Sequence, residues 1–157
     1  MDSLVKLYLE RSENEVVLAE AVVSLSSEDD LKSKLKIEKN MTFYSAVISH
    51  SYYAIFYCAR AYLLSKGIKV KSPREHQKTY NEFKKLVKEG TVEKEFLELY
   101  KEVLIKADTL LDILKTERKK RGEFTYEKLP QANRQPALDS LSNAQKFFKH
   151  FYSLLSK

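Results

Sequence analysis

Three glycines and three prolines punctuate this chain of 157 residues, and their placement decides its fold class. Gly67, Gly90 and Gly122 each follow an apolar-periodic stretch, the point at which a helix needs a left-handed residue to end. Pro73 and Pro136 each open such a stretch, where the missing N–H costs nothing. No proline falls in a helix interior. The run Ser72-Pro73-Arg74-Glu75 reads as a capped start, with Ser72 accepting from the Glu75 amide and the Glu75 carboxylate reaching back to the Ser72 amide. Helices are expected over about 3–25, 41–66, 73–89, 92–121 and 136–155. No strand pattern bounded by hairpin turns and no internal repeat is present. The expectation is an all-α single domain over residues 1–157, an up-and-down antiparallel bundle of about five helices.

The fourth predicted helix carries the most regular stripe: Val92, Phe96, Leu99, Val103, Ala107, Leu110, Leu111 and Leu114 recur at spacings of three and four. The fifth repeats the pattern with Leu138, Leu141, Ala144, Phe148, Phe151 and Leu155. Short links at Gly67 and Gly90 favour antiparallel neighbours. Two linkers are longer. Ser26 to Asn40 is dense in charge and is expected on the surface with at most a helical turn. Gly122 to Gln135 holds Phe124, Tyr126 and Leu129, so it is expected to pack against something.

Hydrophobic residues make up 43 % of the chain, enough for a core and against disorder. Thr42 to Leu64 is long enough to span a bilayer, but three serines and five tyrosines make it too polar for lipid. It reads as the most buried helix of the bundle, with its tyrosines at the core edge rather than forming a stacking platform for bases. Cys58 is alone within it, which excludes an internal disulfide and a cysteine metal site and suggests a buried thiol. With no signal-peptide pattern at Met1-Asp2-Ser3-Leu4, the expected location is cytoplasmic and away from membranes.

Several chemistries find no support. Three glycines cannot build a phosphate loop, no nucleophile elbow is present, and His50, His76 and His150 stand too far apart for metal-ligand spacing. No metal or cofactor is therefore expected. His50 is expected to satisfy a polar neighbour and His150 to lie on the surface, while His76, in the first turn of the third predicted helix, either reaches a cleft or lies exposed. The net charge of +6 permits contact with nucleic acid without demanding it. The charge concentrates in residues 115–121, where five cations and one Glu leave a surplus of +4. Arg118 follows Leu111, and Arg121 follows Leu114, by seven residues, about two helical turns, so both arginines continue the apolar stripe. Arginines so placed either pair with carboxylates at the bundle's end, where cations also suit the helix dipole, or face a cleft that a second subunit can share.

The run Ser49-His50-Ser51-Tyr52-Tyr53-Ala54-Ile55-Phe56-Tyr57-Cys58-Ala59-Arg60-Ala61-Tyr62-Leu63-Leu64-Ser65-Lys66-Gly67 closely resembles the second helix of HEPN domains. His76 and Phe83 stand where that family tends to show a His and then a Phe, and Arg121-Gly122-Glu123-Phe124-Thr125-Tyr126 is similar to the Arg-x4-Tyr form of one HEPN branch. The resemblance spans roughly residues 42–152. It implies a homodimeric helical bundle with the Arg motif near the dimer cleft. Many HEPN domains are metal-independent RNases that use an Arg-x4–6-His motif; others pair with small nucleotidyltransferases in toxin–antitoxin modules or bind without catalysis.

Here Tyr126 stands where the RNase motif has its His. An imidazole with pKa of about 6.5 accepts a proton at neutral pH, whereas a phenol near about 10 is a poor base. Lys128 occupies the position matching the tyrosine that nucleotidyltransferase partners modify, so that regulation does not carry over directly. The resemblance implies a homodimeric nucleotide- or RNA-associated module beside a small nucleotidyltransferase, with Arg118, Lys119, Arg121 and His76 as the binding residues. Its rivals are a weak metal-independent endoribonuclease using Arg121 and Tyr126, and a purely structural dimerisation domain.

Overall fold

The computed structural model describes residues 1–121 and 134–157, with side chains described up to Leu110 and from Arg134 onward. Six helices make up the described fold: α1 (Ser3–Ser27), α2 (Asp29–Lys34), α3 (Tyr44–Ser65), α4 (Glu75–Lys88), α5 (Lys94–Arg121) and α6 (Arg134–Leu155). The five expected long helices are all present, and no strand occurs among the described residues. The addition is α2, a short helix in the charge-dense linker. That linker is not wholly a surface feature: Lys32 is buried, and its Nζ donates to the Lys39 carbonyl at 2.8 Å. The linker is also tied at both ends, because the buried Ser26 hydroxyl donates to Val22 O and accepts from Phe43 N, each at 2.8 Å.

Helix α3 is the axis of the bundle. It packs against α1, α4, α5 and α6, and thirteen of its 22 residues are buried. Its small residues let neighbours come close. Ala54, Ala59 and Ala61 are fully buried, and the Ser12 hydroxyl of α1 donates to Ala54 O at 2.7 Å, satisfying itself inside the core. Contacts along α1 run backward along α3, from Tyr8 against Tyr57 through Ser12 against Ala54 to Glu15 against His50, so the two helices are antiparallel. Helices α5 and α6 are antiparallel too, since Phe96 meets His150 while Glu102 meets Asn143.

The α6 stripe is turned from its expected face. Ala137, Ser140, Leu141, Ala144, Phe147 and Phe151 are the buried positions, whereas Leu138, Phe148 and Leu155 are only half-buried. Phe147 rather than Phe148 enters the core because it meets the rings of Phe83, Phe96 and Tyr100, an aromatic cluster that no single-helix periodicity reveals. His150 is half-buried rather than on the surface, its ring 4.0 Å from that of Phe96. On α5, Phe96 and Val103 are buried as expected, as is Val92 just before the helix, and so is Tyr100, which interrupts the aliphatic stripe.

Gly67 and Gly90 close α3 and α4 with φ of +76° and +79°, as their places in the sequence predict, while Gly122 lies outside the described residues. A Cβ at Gly67 meets nothing within 4 Å, so only backbone strain opposes a side chain there. Gly67→Ala is expected to lower stability by about 1–2 kcal/mol, and Gly67→Asn by less, since Asn tolerates the left-handed region. Urea denaturation of the two variants checks the order.

Candidate functional site

The segment between α3 and α4 positions the site, and it differs from the capped start expected at Ser72. Helix α4 begins at Glu75, after a cis Ser72–Pro73 peptide and a left-handed Arg74 at φ +62°. The Ser72 hydroxyl donates to Glu75 Oε1 at 2.7 Å rather than capping a backbone amide. The other carboxylate oxygen, Oε2, accepts from Arg60 Nη1 of α3 at 2.7 Å, and Arg60 Nη2 donates to Val70 O at 3.1 Å. These bonds reach the helix start and the linker before it, and tie both to α3. The Ser72 hydrogen bond and then the Arg60 charge hold the Glu75 carboxyl below its ordinary range.

This tether sets His76 over α3. Its ring lies 4.0 Å from that of Phe56 and nearly parallel to it, at 13°. Its Nδ1 is 2.8 Å from the Tyr52 hydroxyl. Burial pushes the imidazole below its ordinary pKa, with the nearby Arg60 adding to the shift and Glu75 opposing it. Burial, then the Asp108 and Tyr53 charges, push the Tyr52 phenol well above its own. A protonated phenol and a neutral imidazole each can donate or accept, so a single hydrogen bond joins the Tyr52 oxygen to Nδ1 with its direction set by the ring's tautomer.

Beside this pair opens a cleft of about 510 Å³, within the range of small-molecule sites. Its walls come from three helices: Tyr52 and Tyr53 from α3, His76, Gln77 and Tyr80 from α4, Leu104 and Asp108 from α5. Tyr53 is exposed and faces this cleft, so the α3 tyrosines do not all lie at the core edge as expected; Tyr44, Tyr52 and Tyr62 are buried. Behind the walls lies Tyr100, fully buried, its ring 5.2 Å from Tyr80 and 6.4 Å from Tyr52. Its hydroxyl has no hydrogen-bond partner among the described residues.

Of the expected binding residues, His76 is at the cleft. Arg118, Lys119 and Arg121 belong to the last turns of α5, where side chains are not described, and Tyr126 lies outside the described residues altogether. Sequence reasoning missed Tyr53, Gln77, Tyr80, Leu104 and Asp108. The available signal was spacing: His76 and Tyr80, like Leu104 and Asp108, are four residues apart and share a helix face. His50 behaves as expected, pairing through Nδ1 with Glu15 at 2.6 Å, and Cys58 is buried, which pushes its thiol pKa up. Among the described residues no three His, Cys, Asp or Glu side chains form a metal-binding group, and no helix is long and apolar enough to cross a membrane.

Comparison with known proteins adds one finding. A family model described as the HEPN domain matches residues 24–154, from the last turn of α1 almost to the end of α6. Searches of curated proteins and of solved structures return no match. The matched span takes in all of α3, which carries the Tyr-Tyr-Ala-x-Phe and Ala-Arg-Ala runs, and most of the bundle packed around it. On that span and that architecture, the chain belongs to the HEPN domain family.

Proposed function

We propose that this protein is a homodimeric nucleotide- or RNA-associated module that acts beside a small nucleotidyltransferase in a toxin–antitoxin-like pair. Membership of the HEPN family supports a nucleotide- or RNA-related role in general. The observation that carries the reading to this chain is the cleft holding His76, which is walled by aromatic rings and flanked by α5. That helix runs on from Asp108 to Arg118 in ten residues, about 15 Å, into the turns that carry Lys115, Arg118, Lys119, Lys120 and Arg121. Rings that stack on bases beside a cluster of cations for phosphates are the two ingredients of single-strand recognition.

The test is fluorescence anisotropy of a labelled single-stranded RNA, with EDTA present and the RNA analysed on a gel afterwards. Binding is expected to weaken as salt rises, because each phosphate that a cation neutralises releases counterions into solution. Arg121→Ala, which takes one such cation away, is expected to bind about tenfold more weakly and with a shallower salt slope. RNA cleavage in EDTA that disappears in Arg121→Ala would instead favour the endoribonuclease reading with Arg121 and Tyr126. No binding at low salt by the folded protein would leave the structural, dimerising reading.

A further inference from the structure

The His76 cleft differs from the cationic end of α5 in a way that narrows what it can hold. Among the described residues its walls contain no lysine or arginine, and with His76 neutral the formal charge they carry is the Asp108 carboxylate. A phosphate placed against these described walls meets the Asp108 anion, which disfavours the phosphate part of a nucleotide there. What the walls do offer is aromatic surface, from Tyr53, Tyr80 and the imidazole, against which a planar ring can stack.

Asp108 then sets the polarity of that ring. An ionised carboxylate only accepts hydrogen bonds, and its two oxygens match two adjacent donors. Among the nucleobases, guanine presents such a pair, N1–H beside its 2-amino group. Adenine turns an acceptor, N1, toward the same place, cytosine sets its one amino donor beside the acceptor N3, and uracil offers N3–H between two carbonyls. Asp108 is exposed and so accessible to a ligand, and its charge is felt inside the cleft, where it helps to raise the Tyr52 phenol. Gln77, whose amide both donates and accepts, stands on the opposite helix and suits the remaining base edge. The Tyr100 hydroxyl behind Tyr52 and Tyr80, without a partner among the described residues, is a buried donor on the same side of the bundle.

We infer that the cleft between α3, α4 and α5 is a nucleobase pocket selective for guanine, with Asp108 accepting from N1–H and the 2-amino group while tyrosine rings stack on the base. This deepens, and for its biological occupant rests on, the nucleotide- and RNA-associated reading. The pocket is tested without phosphate, by calorimetric titration of the full chain with guanosine, inosine and adenosine. Guanosine is expected to bind about tenfold more tightly than adenosine, with inosine, which lacks the 2-amino group, between them. Asp108→Asn is expected to abolish that preference at an unchanged melting temperature, since the side chain is exposed. Tyr53→Ala is expected to weaken all three nucleosides alike. Equal affinities for guanosine and adenosine, no binding of any nucleoside, or a preference that survives in Asp108→Asn would each overturn the pocket. RNA binding in the anisotropy assay with no nucleoside binding would overturn it too while leaving the module reading intact. Nucleoside selectivity with no RNA binding would support the pocket and reject the RNA-associated role.

Discussion

Phe83→Ala is expected to lower the free energy of unfolding by about 3–5 kcal/mol, the largest effect of any single truncation proposed for this bundle. Helix α4 is mostly polar and meets the core through Thr79, Phe83 and Leu86. Phe83 is fully buried, with ring centres of Tyr100, Phe147 and Phe151 at 5.8, 5.4 and 5.7 Å. Truncation removes the transfer free energy of the ring and leaves a void where α4, α5 and α6 meet, which rigid aromatic neighbours fill poorly. Against a typical domain stability of about 5–15 kcal/mol, that is a large fraction. A urea melt should show the midpoint falling with little change in slope. Because His76 and Gln77 ride on the same helix, the cleft should loosen with it. A midpoint shift below that of Gly67→Ala would show that α4 is not anchored through Phe83.

The second large effect is expected at Arg60, the residue that fastens the start of α4. Its guanidinium meets the Glu75 carboxylate and the Val70 carbonyl, and its Cζ lies 4.8 Å from the centre of the Tyr8 ring on α1. One side chain thus links α1, α3, the linker and α4. Arg60→Met keeps an apolar stem over the rings but removes every donor, leaving the Val70 carbonyl without that partner and Arg74 in its left-handed conformation without the tie. The expected loss is about 2 kcal/mol. The difference between the two proteins has a pH signature. The folded-state pKa of Glu75 is lowered, so its contribution is present above the ordinary carboxylate range and lost as pH falls through the folded value. The gap between wild type and Arg60→Met should therefore narrow on acidification below about pH 4. A gap that stays constant down to the acid transition would show that Arg60 acts by packing alone. His76 changes stability in the same direction but in another window: its lowered pKa gives stability that is present above about pH 6.5 and lost as the ring takes up a proton below it.

Much of this molecule was legible from residue order. Gly67 and Gly90 mark helix ends because a left-handed backbone is a local requirement that glycine meets without strain. The α3 run, apolar on nearly every face, could only be the central helix, since a helix with no polar stripe must be covered on all sides. The same run carries the family resemblance, so fold and family were read from the same residues. Cys58 and His50 followed equally locally, one from its apolar surroundings and the other from a polar group's need for a partner on a packed helix.

What periodicity could not decide was rotation and meeting point. Which of Phe147 and Phe148 enters the core depends on rings supplied by α4 and α5, and the capping pattern at Ser72 yielded because Arg60, twelve residues earlier, competes for the Glu75 carboxylate. The cleft is the clearest case. Tyr53, His76 and Asp108 are separated by 23 and 32 residues along the chain, and of the three His76 is the one that residue order marks as a binding residue. They form one surface only because α3, α4 and α5 pack together there. Helix ends and burial patterns are set by short-range backbone geometry and solvent, and are written in the sequence; a binding surface built from three helices exists only once their packing has set their angles and registers.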